Sequence, residues 1–175
     1  ILPFVGRKNE LNHLLDFCYS TIDGNYPRSI LITGEAGIGK SRLVSELSKS
    51  IENNDGVVIT VKFRPGSSID LISILFDEIS RLDFTKSLLK KTSTQNLSSI
   101  IESLERLVRL RITVLIIEDI HLLNENSFND FTNLLKSLED SPITVIFTAR
   151  PIDYKLKNVI EEKLIDEIVL RGLSI

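Results

Sequence analysis

Residues 30–41 read ILITGEAGIGKS: a short apolar run closes at Thr33 and is followed by Gly34-Glu35-Ala36-Gly37-Ile38-Gly39-Lys40-Ser41. The octapeptide has the spacing G-x-x-x-x-G-K-[ST] of a phosphate-binding loop. A polyphosphate must be wrapped by backbone N–H groups, and bulky side chains would hold that backbone away. Gly34, Gly37 and Gly39 permit the approach and the backbone angles it needs, with Glu35, Ala36 and Ile38 completing the cradle through their main chain. Lys40 is placed to reach the β- and γ-phosphates and Ser41 to ligate Mg²⁺. A helix starting here points its positive dipole end at the anion. The motif requires a strand before it and a helix after it, and both are legible.

The rest of the composition is that of an ordinary globular protein. The chain has 175 residues, 42% apolar and 26% charged, with a formal charge of −3. That length suits one α/β core, so residues 1–175 are expected to form a single nucleotide-binding domain. The acidic balance does not suggest a polyanion partner. Apolar runs are strand-length, which predicts neither a membrane span nor a signal peptide, and a cytoplasmic location is expected. The single Cys allows no internal disulfide, and Cys18 falls on the apolar face of a predicted helix as a core thiol. The chain contains no Met and opens directly in a structured-looking register, so it is read as a piece of a larger protein.

Taken in order, an extended lead over residues 1–6 precedes a helix over 9–20 with Leu11, Leu14, Leu15 and Cys18 on one stripe. A turn cluster at 23–27 ends it. Strand 29–33, the glycine loop and a helix over 40–51 carrying Leu43, Val44, Leu47 and Ile51 then form one strand–loop–helix unit. Strand 57–63 and a loop at 64–68 follow, then a helix over 69–82, a mixed polar stretch over 83–96 and a helix over 97–110. The run TVLII at 113–117 reads as a strand covered on both faces and ends in Glu118-Asp119. A helix over 127–138 with Ser127 as its N-cap, a strand over 144–148, a weaker helix over 157–164 and a strand over 167–170 complete the pattern. Strands alternating with helices predict a parallel sheet of about five strands with helices on both faces.

In such sheets the ligand sits beyond the carboxyl ends of the strands. The strand ends carry the glycine loop, Arg64, Glu118 with Asp119, and Thr148 with Arg150. One acid after an apolar strand can hold the water shell of Mg²⁺, and the next can orient or deprotonate an attacking water. A cation on the neighbouring strand can neutralise the terminal phosphate. His121 reads as a loop residue near the site and His13 as a solvated helix residue. Arg106 and Arg109 share a helix with Glu102 and Glu105 and, with Arg111, read as a solvated face rather than a nucleic-acid patch.

These residues resemble the STAND branch of the AAA-like P-loop ATPases, in particular the AAA ATPase domains of multidomain signalling kinases, cyclases and transcription regulators. Phe4-Val5-Gly6-Arg7-Lys8-Asn9-Glu10-Leu11 resembles the opening motif F-V-G-R-E-x-E-L, with Lys8 in place of the usual Glu. Residues 116–121, IIEDIH, resemble the h-h-D-D-h-H run, with Glu118 in place of the usual Asp and Leu122-Leu123-Asn124 where Trp-Ala-Asp often follows. Residues 144–150 match h-h-h-h-T-x-R, with Arg150 as the sensor arginine.

The resemblance implies a three-layer P-loop NTPase sandwich with strand order 5-1-4-3-2. It implies ATP or ADP with Mg²⁺ as ligands, and Val5, Gly6 and Arg7 beside the adenine. Thr148 contacts nucleotide on this reading, Ser41 and Glu118 hold Mg²⁺, and Glu118, Asp119 and Arg150 are the catalytic set. Adenine preference agrees with the lack of an N-K-x-D stretch. The helical lid lies beyond a junction like Leu170-Arg171-Gly172-Leu173-Ser174. The function implied is a slow ATPase acting as a switch, partnered by flanking domains, other proteins and nucleotide-dependent self-association. Two alternatives stand beside it: a binding module without turnover, and a DNA-associated loader, against which the acidic charge and the T-x-R strand argue.

Overall fold

The most apolar segments take the centre of a five-stranded parallel sheet. In the computed structural model, which describes residues 6–20, 29–66, 69–82, 95–151 and 166–172, the first strand is β1 (Ser29–Thr33) and the second β2 (Val57–Lys62). They are followed by β3 (Thr113–Glu118), β4 (Thr144–Ala149) and β5 (Asp166–Val169). The order across the sheet is β2-β3-β4-β1-β5, every neighbouring pair parallel, which is the order 5-1-4-3-2 read from the other edge. β3 and β4 are buried at every position because helices cover both their faces.

Side-chain alternation assigns the helices to the two faces, since successive residues of a strand point to opposite sides. Leu31, Leu115, Ile117, Val145 and Phe147 join one core with α3 (Leu71–Arg81), α4 (Leu97–Val108) and α5 (Glu125–Ser137), numbered after the two N-terminal helices. Phe131 of α5 stands edge-on to Phe147, centroids 5.2 Å apart. Ile30, Ile32, Val114, Ile116 and Ile146 join the other core with α1 (Lys8–Tyr19) and α2 (Lys40–Glu52). Cys18 is buried there, and burial pushes its thiol up to about 12, as befits a core thiol. His13 is exposed, and Arg106 pairs with Glu102 on the solvated side of α4.

Caps set the helix boundaries. Asp70 opens α3 by accepting the Ser73 N–H at 2.8 Å, a bond that holds its carboxyl below the usual range. Asn96 and Ser99 form a capping box on α4. The expectation for α5 needs correcting: Asn124, not Ser127, is the cap, its side chain accepting the Ser127 N–H at 2.8 Å. Ser127 is buried one turn inside, where its hydroxyl accepts the Leu71 N–H at 3.3 Å and ties α5 to the start of α3.

The third strand also runs one residue further than its apolar stretch, because Glu118 stays in register with Lys62. Val5 and the lead before it, the turn cluster, most of the polar stretch at 83–96 and the helix expected over 157–164 lie outside the described residues. Among the described residues, no helix is long and apolar enough to cross a membrane.

Candidate functional site

The loop between β1 and α2 owes its shape to three glycines, for two different reasons. Gly37 and Gly39 have φ of 77° and 104°, in the left-handed region that side chains disfavour, although a Cβ at either would meet nothing within 4 Å. Gly34 is instead a point of close approach, where a Cβ would lie 2.8 Å from Ile38 Cγ2 and 3.0 Å from the Leu170 carbonyl oxygen. Gly39 is the N-cap of α2, so the N-terminus of that helix opens beside the loop. Glu35, Ala36 and Gly37 are exposed to solvent.

Lys40 is buried and folded back along this loop. Its Nζ donates to the carbonyl oxygens of Gly34 at 2.6 Å and Glu35 at 2.9 Å. Burial lowers its pKa; the carboxylates of Asp119 and Glu35 oppose that shift and Arg150 adds to it.

The facing wall is made by the ends of β2, β3 and β4. Glu118 is nearly buried and forms an ion pair with Lys62 of the adjacent strand, Oε2 to Nζ 3.5 Å, and the same Nζ donates to Ser41 Oγ at 3.2 Å. Asp119 follows with φ of 62°, in the left-handed region, and its backbone N–H donates to Thr148 Oγ1 of β4 at 3.0 Å. A non-glycine residue in this region carries strain that its surroundings must hold in place. His121, on the short 3₁₀ turn Ile120–Leu122, accepts the Arg150 N–H on Nδ1 at 3.3 Å. Gly37, Lys40, Ser41, Asp119, His121 and Arg150 all line one cavity of about 390 Å³, with Lys62 and Arg64 also on its wall. That volume lies within the range of small-molecule sites.

The opening motif reaches the loop from another side. Arg7 is buried, pairs with Glu10 at 2.9 Å, approaches the Ile38 carbonyl oxygen at 3.5 Å and donates to the Arg171 carbonyl. It thus links the start of the chain, the glycine loop and the segment after β5. Gly6, with φ of 82°, supplies the turn into α1.

Lys40, Ser41, Asp119 and Arg150, drawn from separate parts of the sequence, share the cavity. Glu118 stands beside Ser41 through Lys62, while Thr148 is fully buried behind Asp119, holding its main chain rather than lining the cavity. The residue missed in the sequence is Lys62, whose only signal was its place as a lone cation closing a β-branched strand. The arrangement suits a cation. An ammonium already lies between Ser41 Oγ and the Glu118 carboxylate, so the two oxygens converge on a position that accepts positive charge. Among the described residues no three His, Cys, Asp or Glu side chains gather to hold a metal by themselves. Mg²⁺ held by Ser41 and Glu118 would complete its shell with phosphate oxygens and water, as is usual for this ion.

The family profile described as "AAA ATPase domain" matches residues 3–146. This chain belongs to that family. By sequence it matches no curated protein. The AAA ATPase domain is similar in fold to the ORC1 protein of Aeropyrum pernix in complex with DNA, at 18% identity and TM-score 0.62, covering 98% of this chain and 46% of that one. It is also similar to Drosophila ORC bound to poly(dA/dT) DNA and Cdc6, at 12% identity and TM-score 0.66, covering 95% and 29%. AMPPCP-bound DnaA from Aquifex aeolicus matches at 14% identity and TM-score 0.56, covering 98% and 48%. Identities this low show a shared fold, and the chain spans less than half the length of each of these three.

Proposed function

We propose that this AAA ATPase domain binds Mg-ATP and ADP, hydrolyses ATP slowly, and serves as a nucleotide-dependent switch in a multidomain cytoplasmic signalling protein of the STAND type. The observation that carries the reading is the meeting of Lys40 and Ser41 with Asp119 and Arg150 around one cavity at the carboxyl edge of the sheet. Lys40 exchanges its two carbonyl contacts for the β- and γ-phosphates, and the N–H groups from Gly34 to Ser41 wrap them. Ser41 and Glu118 hold Mg²⁺, which when bound neutralises phosphate charge and fixes the phosphate oxygens. Asp119 orients the attacking water and takes its proton, Arg150 faces the terminal phosphate, and Thr148 keeps Asp119 in place. Val5, Gly6 and Arg7 border the adenine. Arg7 then connects nucleotide to the segment at Arg171, through which flanking domains would feel the bound state.

Titration with a fluorescent ATP analogue tests the reading. Lys40→Ala is expected to weaken binding about 10- to 150-fold, the loss of hydrogen bonds to a charged group worth about 1.5–3 kcal/mol. Unchanged affinity would overturn the assignment.

A second reading, a DNA-associated ATPase, is favoured by the DNA complexes among the structures of similar fold. The charge of −3 and the pairing of Arg106 with Glu102 oppose it. Duplex DNA binding that weakens steeply with salt would favour this second reading over the switch.

A further inference from the structure

Lys62 lines the cavity and touches both oxygens assigned above to Mg²⁺. It closes β2 directly opposite Glu118 in the parallel register, so its position follows from strand pairing. Its Nζ lies 3.2 Å from Ser41 Oγ and 3.5 Å from Glu118 Oε2. The Glu118 side chain is only 9% exposed, and a nearly buried carboxylate needs a positive partner. Lys62 supplies that partner while its own side chain remains 46% exposed. A lysine on a flexible four-carbon stem can leave such a contact without disturbing the sheet. Lys40, by contrast, donates to backbone carbonyls of the glycine loop on the other wall.

We propose that Lys62 is a built-in competitor of Mg²⁺: its ammonium holds the Ser41–Glu118 pair when metal is absent and must swing away before the metal enters. The proposal rests on the Mg-nucleotide reading above and deepens it. Two like charges cannot share one pair of oxygens, so displacing the ammonium is part of the cost of metal binding. The swing stays within the cavity that Lys62 lines, where a bound polyphosphate offers the ammonium a second anionic partner. Lys62 therefore makes nucleotide binding less dependent on Mg²⁺ and sets the metal concentration at which the metal-bound form takes over.

The test compares the wild-type protein with Lys62→Gln, which removes the charge, and Lys62→Arg, which keeps it. Binding of a fluorescent ADP is followed in EDTA and across a Mg²⁺ titration, and Mn²⁺ binding to the ADP complex is counted by electron paramagnetic resonance. In Lys62→Gln the half-saturating metal concentration should fall about fivefold, the scale of an ion pair half open to water. Its ADP affinity in EDTA should fall by a similar factor, whereas Lys62→Arg should stay near wild type in both. An unchanged metal titration in Lys62→Gln overturns the proposal, as does an equal shift in both variants, which would point to packing rather than charge. Failure of the underlying reading looks different, because the wild-type protein would then bind no ADP at any metal concentration. Lys62 is exposed at a strand end, and matching thermal unfolding of the three proteins shows that the variants fold.

Discussion

The two walls of the cavity are built by different means. On one wall the loop at residues 34–41 is shaped by main chain: positive φ at Gly37 and Gly39, close packing at Gly34, and Lys40 tied to two carbonyl oxygens. On the other wall, Lys62, Asp119 and Arg150, with Glu118 paired to Lys62, come from the ends of three strands and are set by side-chain pairs and register. A wall made of backbone is specified by a few adjacent residues. A wall made of side chains from separate strands depends on every element that fixes their register, and its groups keep room to move.

The largest expected effect tests whether the side-chain wall carries the chemistry. Asp119→Asn should leave nucleotide affinity within about twofold while turnover, measured in the full-length polypeptide, drops by about 10²- to 10⁴-fold, the usual contribution of a general base. Asn tolerates the left-handed backbone at this position, so loss of the fold does not confound the result. Tight ATP binding with no turnover even in the wild-type protein would instead make the domain a binding module.

Gly34→Ala tests how tightly the backbone wall is packed. Its Cβ would press on Ile38 and on Leu170, whose N–H donates to the Thr33 carbonyl at 2.8 Å beside β5. The expected cost is about 1–3 kcal/mol, read from the denaturation midpoint. Wild-type stability would mean that this turn yields more readily than its geometry suggests.

The smallest effect sharpens the contrast. Thr148→Val keeps the shape of the β4 side chain and deprives the Asp119 N–H of its acceptor, for a stability loss of about 1 kcal/mol. Turnover should fall more than nucleotide affinity does. Equal losses in both would mean that Thr148 contacts the nucleotide itself.

Much of this protein could be read from local sequence. The glycine loop was legible because a phosphate cradle needs particular residues at consecutive positions, and β3 and β4 because doubly covered strands are apolar throughout. The strand order came from resemblance to a family, and the sheet confirms it. The cap of α5 is ambiguous in sequence because Asn124 and Ser127 are both good capping residues, and only the packing of Ser127 against Leu71 decides between them. The left-handed turn at Asp119, the burial of Thr148 behind it and the place of Lys62 between Ser41 and Glu118 were not legible at all.

The sequence by itself thus determined the alternation of elements and the glycine loop, whose causes lie within a few bonds of one another. Tertiary structure decided which charges meet across the cavity. Pairing of β2 with β3 brings Lys62 to Glu118, residues far apart in the chain, and no local propensity encodes a contact made by strand register.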